Sequence, residues 1–192
     1  VLVFFMQAGF ALVEAGMTRA KNVVNIFAKN MADAIVGILA FFACGFAFAF
    51  GGDGWMIGTD GFFLDGLDLA AIPEGGLSPA TTFFFQAVFA ATAVTIASGA
   101  MAERTKFVSY LIFSGVMCAF IYPVVVHWTW GGGWLAKLGE SMDWGVGYAD
   151  FAGSGVVHAV GGVAGLAGAI VLGPRIGKFN KNGTANAIPG HN

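Results

Sequence analysis

The stretch FVSYLIFSGVMCAFIYPVVVHW, residues 107–128, carries no Asp, Glu, Lys or Arg. As a helix rising about 1.5 Å per residue it is long enough to cross a hydrocarbon core of about 30 Å. Four further apolar runs flank it, at about 1–18, 31–50, 81–101 and 150–172. None shows the period-two alternation of a barrel wall, so each reads as a helix. The chain is therefore expected to be an all-α integral membrane protein with five transmembrane helices in one unit, residues 1–192.

Composition agrees. Hydrophobic residues make up 57% of the chain and charged residues 10%, against about 25% charged in a soluble domain. The 30 glycines and 20 phenylalanines suit helices packed closely in lipid. The only basic concentration, Arg175 to Lys181, is too sparse for a nucleic-acid surface. Cys44 and Cys118 stand apart inside apolar runs and read as small buried hydrophobes. Both ends read as cut: Val1 already lies in an apolar run, and Pro189-Gly-His-Asn192 reads as the start of another element.

The connecting segments assign orientation. Arg19, Lys21, Lys29, Arg104, Lys106, Arg175, Lys178 and Lys181 follow the first, third and fifth runs, leaving Lys137 alone in the other loops among acidic residues. Positive charge gathers on the cytoplasmic side, so the N-terminus is expected outside. The Gly- and Asp-rich 51–79 loop lacks a calcium-loop pattern and reads as a structural cap.

Ionisable groups at membrane depth are the first functional candidates. Glu14 and Asp33 read as structural, close enough to an interface to snorkel or pair locally, with Asp33 four residues after Lys29 on one helix face. His158 falls eight residues after Asp150, about 12 Å deeper if the helix opens at Asp150. It shares a face with Ser154 and Gly162. On position alone it reads equally as a pathway group or a satisfied core histidine. His127, beside Trp128, reads as packing. Asp150 reads as a helix cap whose charge could also favour a nearby cation. Phe85 and Phe89 sit at i and i+4, and Trp130 opens a Trp-Gly-Gly-Gly-Trp segment. Ring faces attract cations, although in so Phe-rich a chain such a pair reads first as packing. Gly161 and Gly165 form a small-xxx-small pair, which predicts a close helix contact.

Several segments carry a resemblance. FFMQAGFALVEAGMTRAKNVVNIFAKN, FFFQAVFAATAVTIASGAMAERTKF, HWTWGGGWL, DFAGSGVVHAVGGVAGLAG and the closing PGHN together resemble the ammonium transporter family (Amt/MEP/Rh). The resemblance covers the whole chain and implies the first half of an eleven-helix inverted-repeat fold, in a homotrimer of the plasma membrane. It implies that Phe85 and Trp130 recruit ammonium at the outer face and that Phe89 is half of a gate beneath them. It implies that His158 is the first of two pore histidines and that Asp150 supports the recruitment site. Ammonium, or methylammonium, would lose a proton and pass as ammonia, a role needing no cofactor or metal. The residues to 192 would not transport alone. A cytosolic regulatory protein is a further implied partner. An ammonium sensor built on the same membrane domain is the alternative. His127, His158 and Asp150 lack metal-ligand spacing and do not make an enzyme or metal centre.

Overall fold

The computed structural model describes residues 2–192. Its long helices are α1 (Leu2–Met17), α2 (Ala20–Phe50), α3 (Pro79–Met101), α4 (Phe107–Trp128) and α5 (Ser154–Leu172). Four of them are long and apolar enough to cross a membrane, and α1 is a shorter apolar helix. Among the described residues the one β feature is an isolated bridge between Phe179 and Ala185. The chain is a multi-pass membrane protein. The sequence reading of five runs holds, with corrections at the starts of α2 and α5.

Helix α2 begins at Ala20 and not near 31. Lys29 and Asn30 look like loop residues in the sequence and Asp33 like a residue near the start of the span, but all three are buried inside the helix. Lys29 Nζ donates to the Ser98 carbonyl at 3.0 Å and lies 3.7 Å from Glu14 Oε2. Glu14 and Asp33 consequently do not snorkel, and Lys29 pairs with Glu14 rather than with Asp33. Lys29 also leaves the loop inventory, although the remaining basic residues keep the same bias between the two ends.

Helix α3 is the axis of the bundle, with α1, α2 and α5 packed against it. It starts where Ser78 accepts a hydrogen bond from Thr81 N–H at 3.2 Å, with Pro79 in the first turn, an arrangement that satisfies and pre-sets the helix start. Helix α5 runs parallel to it. A Cβ added at Gly161 would lie 2.7 Å from the Ala93 carbonyl oxygen and 2.8 Å from Ile96, and one at Gly165 would lie 3.1 Å from Ala100. The small-xxx-small pair therefore sets this contact, as its spacing predicts.

Pro123 explains a local feature of α4. A mid-helix proline removes one N–H and crowds the carbonyl four residues back. The helix widens to a π turn over Met117–Ile121, just ahead of the proline. Ala119, the residue whose carbonyl Pro123 cannot serve, accepts instead from Cys44 Sγ at 3.7 Å. Cys118 Sγ donates to the Ala90 carbonyl at 3.4 Å. Both cysteines are free and buried or half-buried, as their apolar surroundings suggest.

At the basic end of the bundle the turns are tied by one carboxylate. Glu103 Oε1 accepts from Arg19 Nε at 2.9 Å, Arg19 N–H at 3.0 Å and Asn22 Nδ2 at 2.5 Å, while Oε2 accepts from Arg175 at 2.5 Å. Arg104 donates to the carbonyls of Gly173 and Ala100, closing the end of α5 onto α3. His191 accepts no distant role: its N–H donates to the Thr18 carbonyl at 3.1 Å, folding the last residues back over α1. Burial alone would raise the Glu103 pKa, but the bonds from Arg19, Arg175 and Asn22 outweigh it and hold it at about 2.

Two outcomes follow. Gly161→Leu drives a side chain into the α3 backbone and lowers the thermal unfolding midpoint in detergent, an overpacking cost of about 1–3 kcal/mol; Gly162→Ala, which meets nothing within 4 Å, leaves it unchanged. Glu103 has a depressed folded pKa, so its contribution is present above the ordinary glutamate range and is lost as pH falls toward about 2. Glu103→Gln should flatten the loss of thermal midpoint measured on acidification through that window.

Candidate functional site

At the acidic end, three elements converge on a cavity of about 250 Å³ bounded by Phe85, Gln86, Phe89, Trp130, Phe151 and Ala152. Helix α3 contributes the first three. Spacing of i and i+4 brings Phe85 and Phe89 together at 5.0 Å between ring centroids, edge to face. Phe89 meets Trp130 at 5.9 Å in a second edge-to-face contact. The three aromatic residues singled out in the sequence thus form one continuous cluster.

Asp150 positions Trp130 without facing the cavity. Its carbonyl accepts the indole N–H at 2.6 Å. Its side chain is consumed in the helix start: Oδ1 accepts from Gly153 and Ser154 N–H at 2.7 and 3.0 Å, and Oδ2 from Gly155 and Val156 N–H, both at 2.8 Å. Burial works against the charged carboxylate, but these four bonds prevail and hold its pKa below the usual aspartate range. The capping reading of Asp150 holds, with the helix beginning at Ser154 rather than at Asp150 itself.

Gly153 links the two groups. Its φ of +89° lies in the left-handed region that favours glycine. A Cβ there would also stand 3.2 Å from the Trp130 ring and 2.8 Å from Val157. The Gly-Ser-Gly following Asp150 therefore lets one carboxylate reach four amides while the indole packs over the turn.

His158 is not part of this cavity. It lies four residues into α5, about 6 Å below the helix start at 1.5 Å per residue, half the depth expected from a helix opening at Asp150. The first turns of α5 are π-helical over Ser154–Ala159, and His158 N–H accordingly donates five residues back to Gly153 at 3.0 Å. Ser154, His158 and Gly162 are all exposed, so they share an open flank of the helix. His127 has the opposite fate. It is fully buried, with Nδ1 3.0 Å from the Ala49 carbonyl and Nε2 2.6 Å from the Gly54 carbonyl, a packing role as expected.

Two participants escaped the sequence reading. Gln86 stands next to Phe85, and its buried Oε1 has no hydrogen-bond partner among the described residues, an acceptor left over at the cavity wall. A lone amide inside FFFQAVF was the available signal. Phe151 is fully exposed at the cavity mouth. The 51–79 loop behaves as a cap: Phe62 and Phe63 pack edge to face on Phe48 and Phe42 at 5.3 and 5.9 Å. Among the described residues no cluster of His, Cys, Asp or Glu could hold a metal ion.

The chain is thus a polytopic helical membrane protein with an aromatic, amide-lined cavity at one face and polar groups buried within its bundle. The model of the Ammonium Transporter Family matches residues 1–192. Ammonium transporter Amt2 of Archaeoglobus fulgidus is 53% identical over the whole of this chain and 40% of its own length. Ammonium transporter 1 member 3 of Solanum lycopersicum is 46% identical, again over the whole chain and 40% of that protein. Among solved structures, one described as "Sensor Amt Protein" superposes with a TM-score of 0.88 at 43% identity, covering 99% of this chain and 46% of that one. Candida albicans Mep2 superposes at 0.77 with 29% identity over 91% of this chain and 37% of its own. This chain belongs to the ammonium transporter family, and it spans about 40% of the length of the curated relatives it matches.

The cavity geometry makes Gly153 intolerant of a side chain. Gly153→Ala should disturb the Trp130 environment, read as a changed tryptophan emission spectrum, and lower the thermal midpoint; Gly162→Ala, whose glycine has open space around it and lies further along α5, should leave the emission unchanged.

Proposed function

We propose that this chain forms the outer recruitment site and one wall of the conduction path of an ammonium transporter in the cell membrane, with the basic end cytoplasmic and the N-terminus outside. The cavity of Phe85, Gln86, Phe89 and Trp130 carries this reading. A cation over each ring face gains about 0.5–2 kcal/mol, more as water leaves. The unpartnered Gln86 carbonyl offers a hydrogen-bond acceptor to an ammonium N–H. That set suits a small cation held weakly at an entrance.

Phe85 and Trp130 recruit, and Phe89, in contact with both, forms the inner lip of the site. Carrying the charge onward through an apolar path would cost several kcal/mol or more. Release of one proton to water at the cavity mouth yields ammonia, which moves inward while exchanging hydrogen bonds with the exposed His158 imidazole. A neutral ring suits this, having one donor and one acceptor. Asp150 acts by position: it anchors the indole and starts the helix that carries His158. Methylammonium fits the same chemistry. Assembly as a homotrimer, and control by a cytosolic protein, are part of the same reading, which rests on family membership. A sensor reading keeps the same site and draws on the printed description of one structural neighbour.

In the full-length protein, Trp130→Leu should raise the half-saturating concentration for methylammonium uptake about 2- to 30-fold, the weight of one cation–π contact. An unchanged value means the indole only packs. His158→Ala should abolish or alter uptake while the thermal midpoint stays at the wild-type value; wild-type uptake with unchanged ion selectivity excludes a pathway role. Absence of uptake in the wild-type protein itself would favour the sensor.

A further inference from the structure

A second polar centre lies deeper in the bundle, toward the basic end. Glu14 is 6% exposed, Lys29 3% and Asp33 not at all. Glu14 Oε2 accepts from Ser98 Oγ at 2.7 Å and Asn30 Nδ2 at 3.3 Å, and Lys29 Nζ stands 3.7 Å away. Asp33 Oδ2 accepts from Tyr110 OH at 2.7 Å and lies 3.3 Å from Thr95 Oγ1. Lys29 Nζ also sits 4.8 Å over the Tyr110 ring, so the two carboxylates and the ammonium form one connected group.

Charge counting constrains that group. Two ionised carboxylates facing one ammonium leave a net negative charge inside the bundle. Uncompensated buried charge is strongly destabilising. A single added proton removes it, and in so coupled a set the proton belongs to the cluster rather than to one residue. The structure leaves room for it: Glu14 Oε1 and Asp33 Oδ1 are both buried without a hydrogen-bond partner among the described residues.

One member has access to a path. Glu14 borders a cavity of about 510 Å³ with Phe10, Thr95, Gly99, Arg104 and Arg175. Its carboxyl lies against Gly99, where an added Cβ would be 3.9 Å from Oε1. Because α5 runs parallel to α3 with Gly161 against Ala93 and Gly165 against Ala97 and Ala100, His158 lies near the level of residues 91–92 of α3. Glu14 is therefore about 10 Å further toward the basic end. The other charged groups around this cavity are Arg104 from the α3–α4 turn and Arg175 after α5; Glu103 is committed to Arg19 and Arg175. Lys29, Asp33 and Tyr110 face Glu14 from α2 and α4, and His191 lies over the end of α1 against Thr18.

We propose that the Glu14–Lys29–Asp33 cluster binds one exchangeable proton and that Glu14 delivers it to ammonia in this inner cavity. The inference rests on the transport reading above. In the step, the Glu14 O–H bond breaks and an N–H bond forms, leaving ammonium beside a cluster of two carboxylates and Lys29 whose one net negative charge it offsets until it departs. Hydronium from the water of the basic-end compartment restores the acid. Arg104 and Arg175, at the cavity border, disfavour a lingering cation and help ammonium leave.

Two measurements on the full-length protein test this. Infrared difference spectra between alkaline and acidic buffers should show a protonated-carboxyl band in the wild-type protein that is lost in Glu14→Gln. The amide keeps the Ser98 and Asn30 partners. Absence of that band in the wild type overturns the proposal without any variant. In proteoliposomes, Glu14→Gln should slow methylammonium uptake roughly 10²-fold, the lower range for a positioned proton donor, and flatten its dependence on the pH of the basic-end compartment. A wild-type rate and pH profile in Glu14→Gln overturns the proposal. Failure of wild-type uptake would instead sink the transport reading, and the infrared band would still decide whether the cluster binds a proton.

Discussion

Lipid offers no hydrogen bonds, so each polar group placed within the span must find its partner inside the protein. That constraint explains most of the departures from ideal helix here. Pro123 leaves a carbonyl unserved, and the chain answers with a π turn and the Cys44 thiol on Ala119. The start of α5 exposes free amides, and Asp150 takes four of them with two oxygens. Lys29 enters the core only because Glu14 and the Ser98 carbonyl meet it there.

The same constraint separates what the sequence reveals from what it conceals. Long uncharged runs such as 107–128 can be read directly, because nothing but lipid or a packed core accepts them. The start of α2 could not be read in this way. Lys29, Asn30 and Asp33 look like residues at or near the water interface when their partners lie 69, 16 and 77 positions away. Their burial is a tertiary fact with no local signature. The depth of His158 was misjudged for a related reason: capping by Asp150 reaches across a non-helical turn, and the helix starts later than the carboxylate.

The aromatic site was legible in part. Helical spacing pairs Phe85 with Phe89, yet spacing cannot distinguish a functional pair from ordinary packing in a chain with 20 phenylalanines. Geometry adds what spacing lacks: Trp130 arrives from a different element, and its indole is fixed by the Asp150 carbonyl rather than left to rotate. Gln86 adds an acceptor that no packing argument calls for. An indole held in place presents its ring face at little cost in side-chain freedom, and that is the feature the proposed cation site rests on.

The histidines complete the same argument. His127 has a carbonyl oxygen within hydrogen-bond distance of each ring nitrogen and ties the ends of α2 and α4 to the 51–79 loop. Such a ring cannot release a partner to a passing solute without unmaking that junction. His191 is held to the Thr18 carbonyl. Among the described residues, the His158 ring makes no hydrogen bond and sits on an open flank of α5, on the helix whose start is fixed by the carboxylate that also holds Trp130. A residue type that is costly to place in a membrane is thus spent structurally once and left available once. Availability on the helix that starts next to the aromatic cluster, more than depth, is what distinguishes His158.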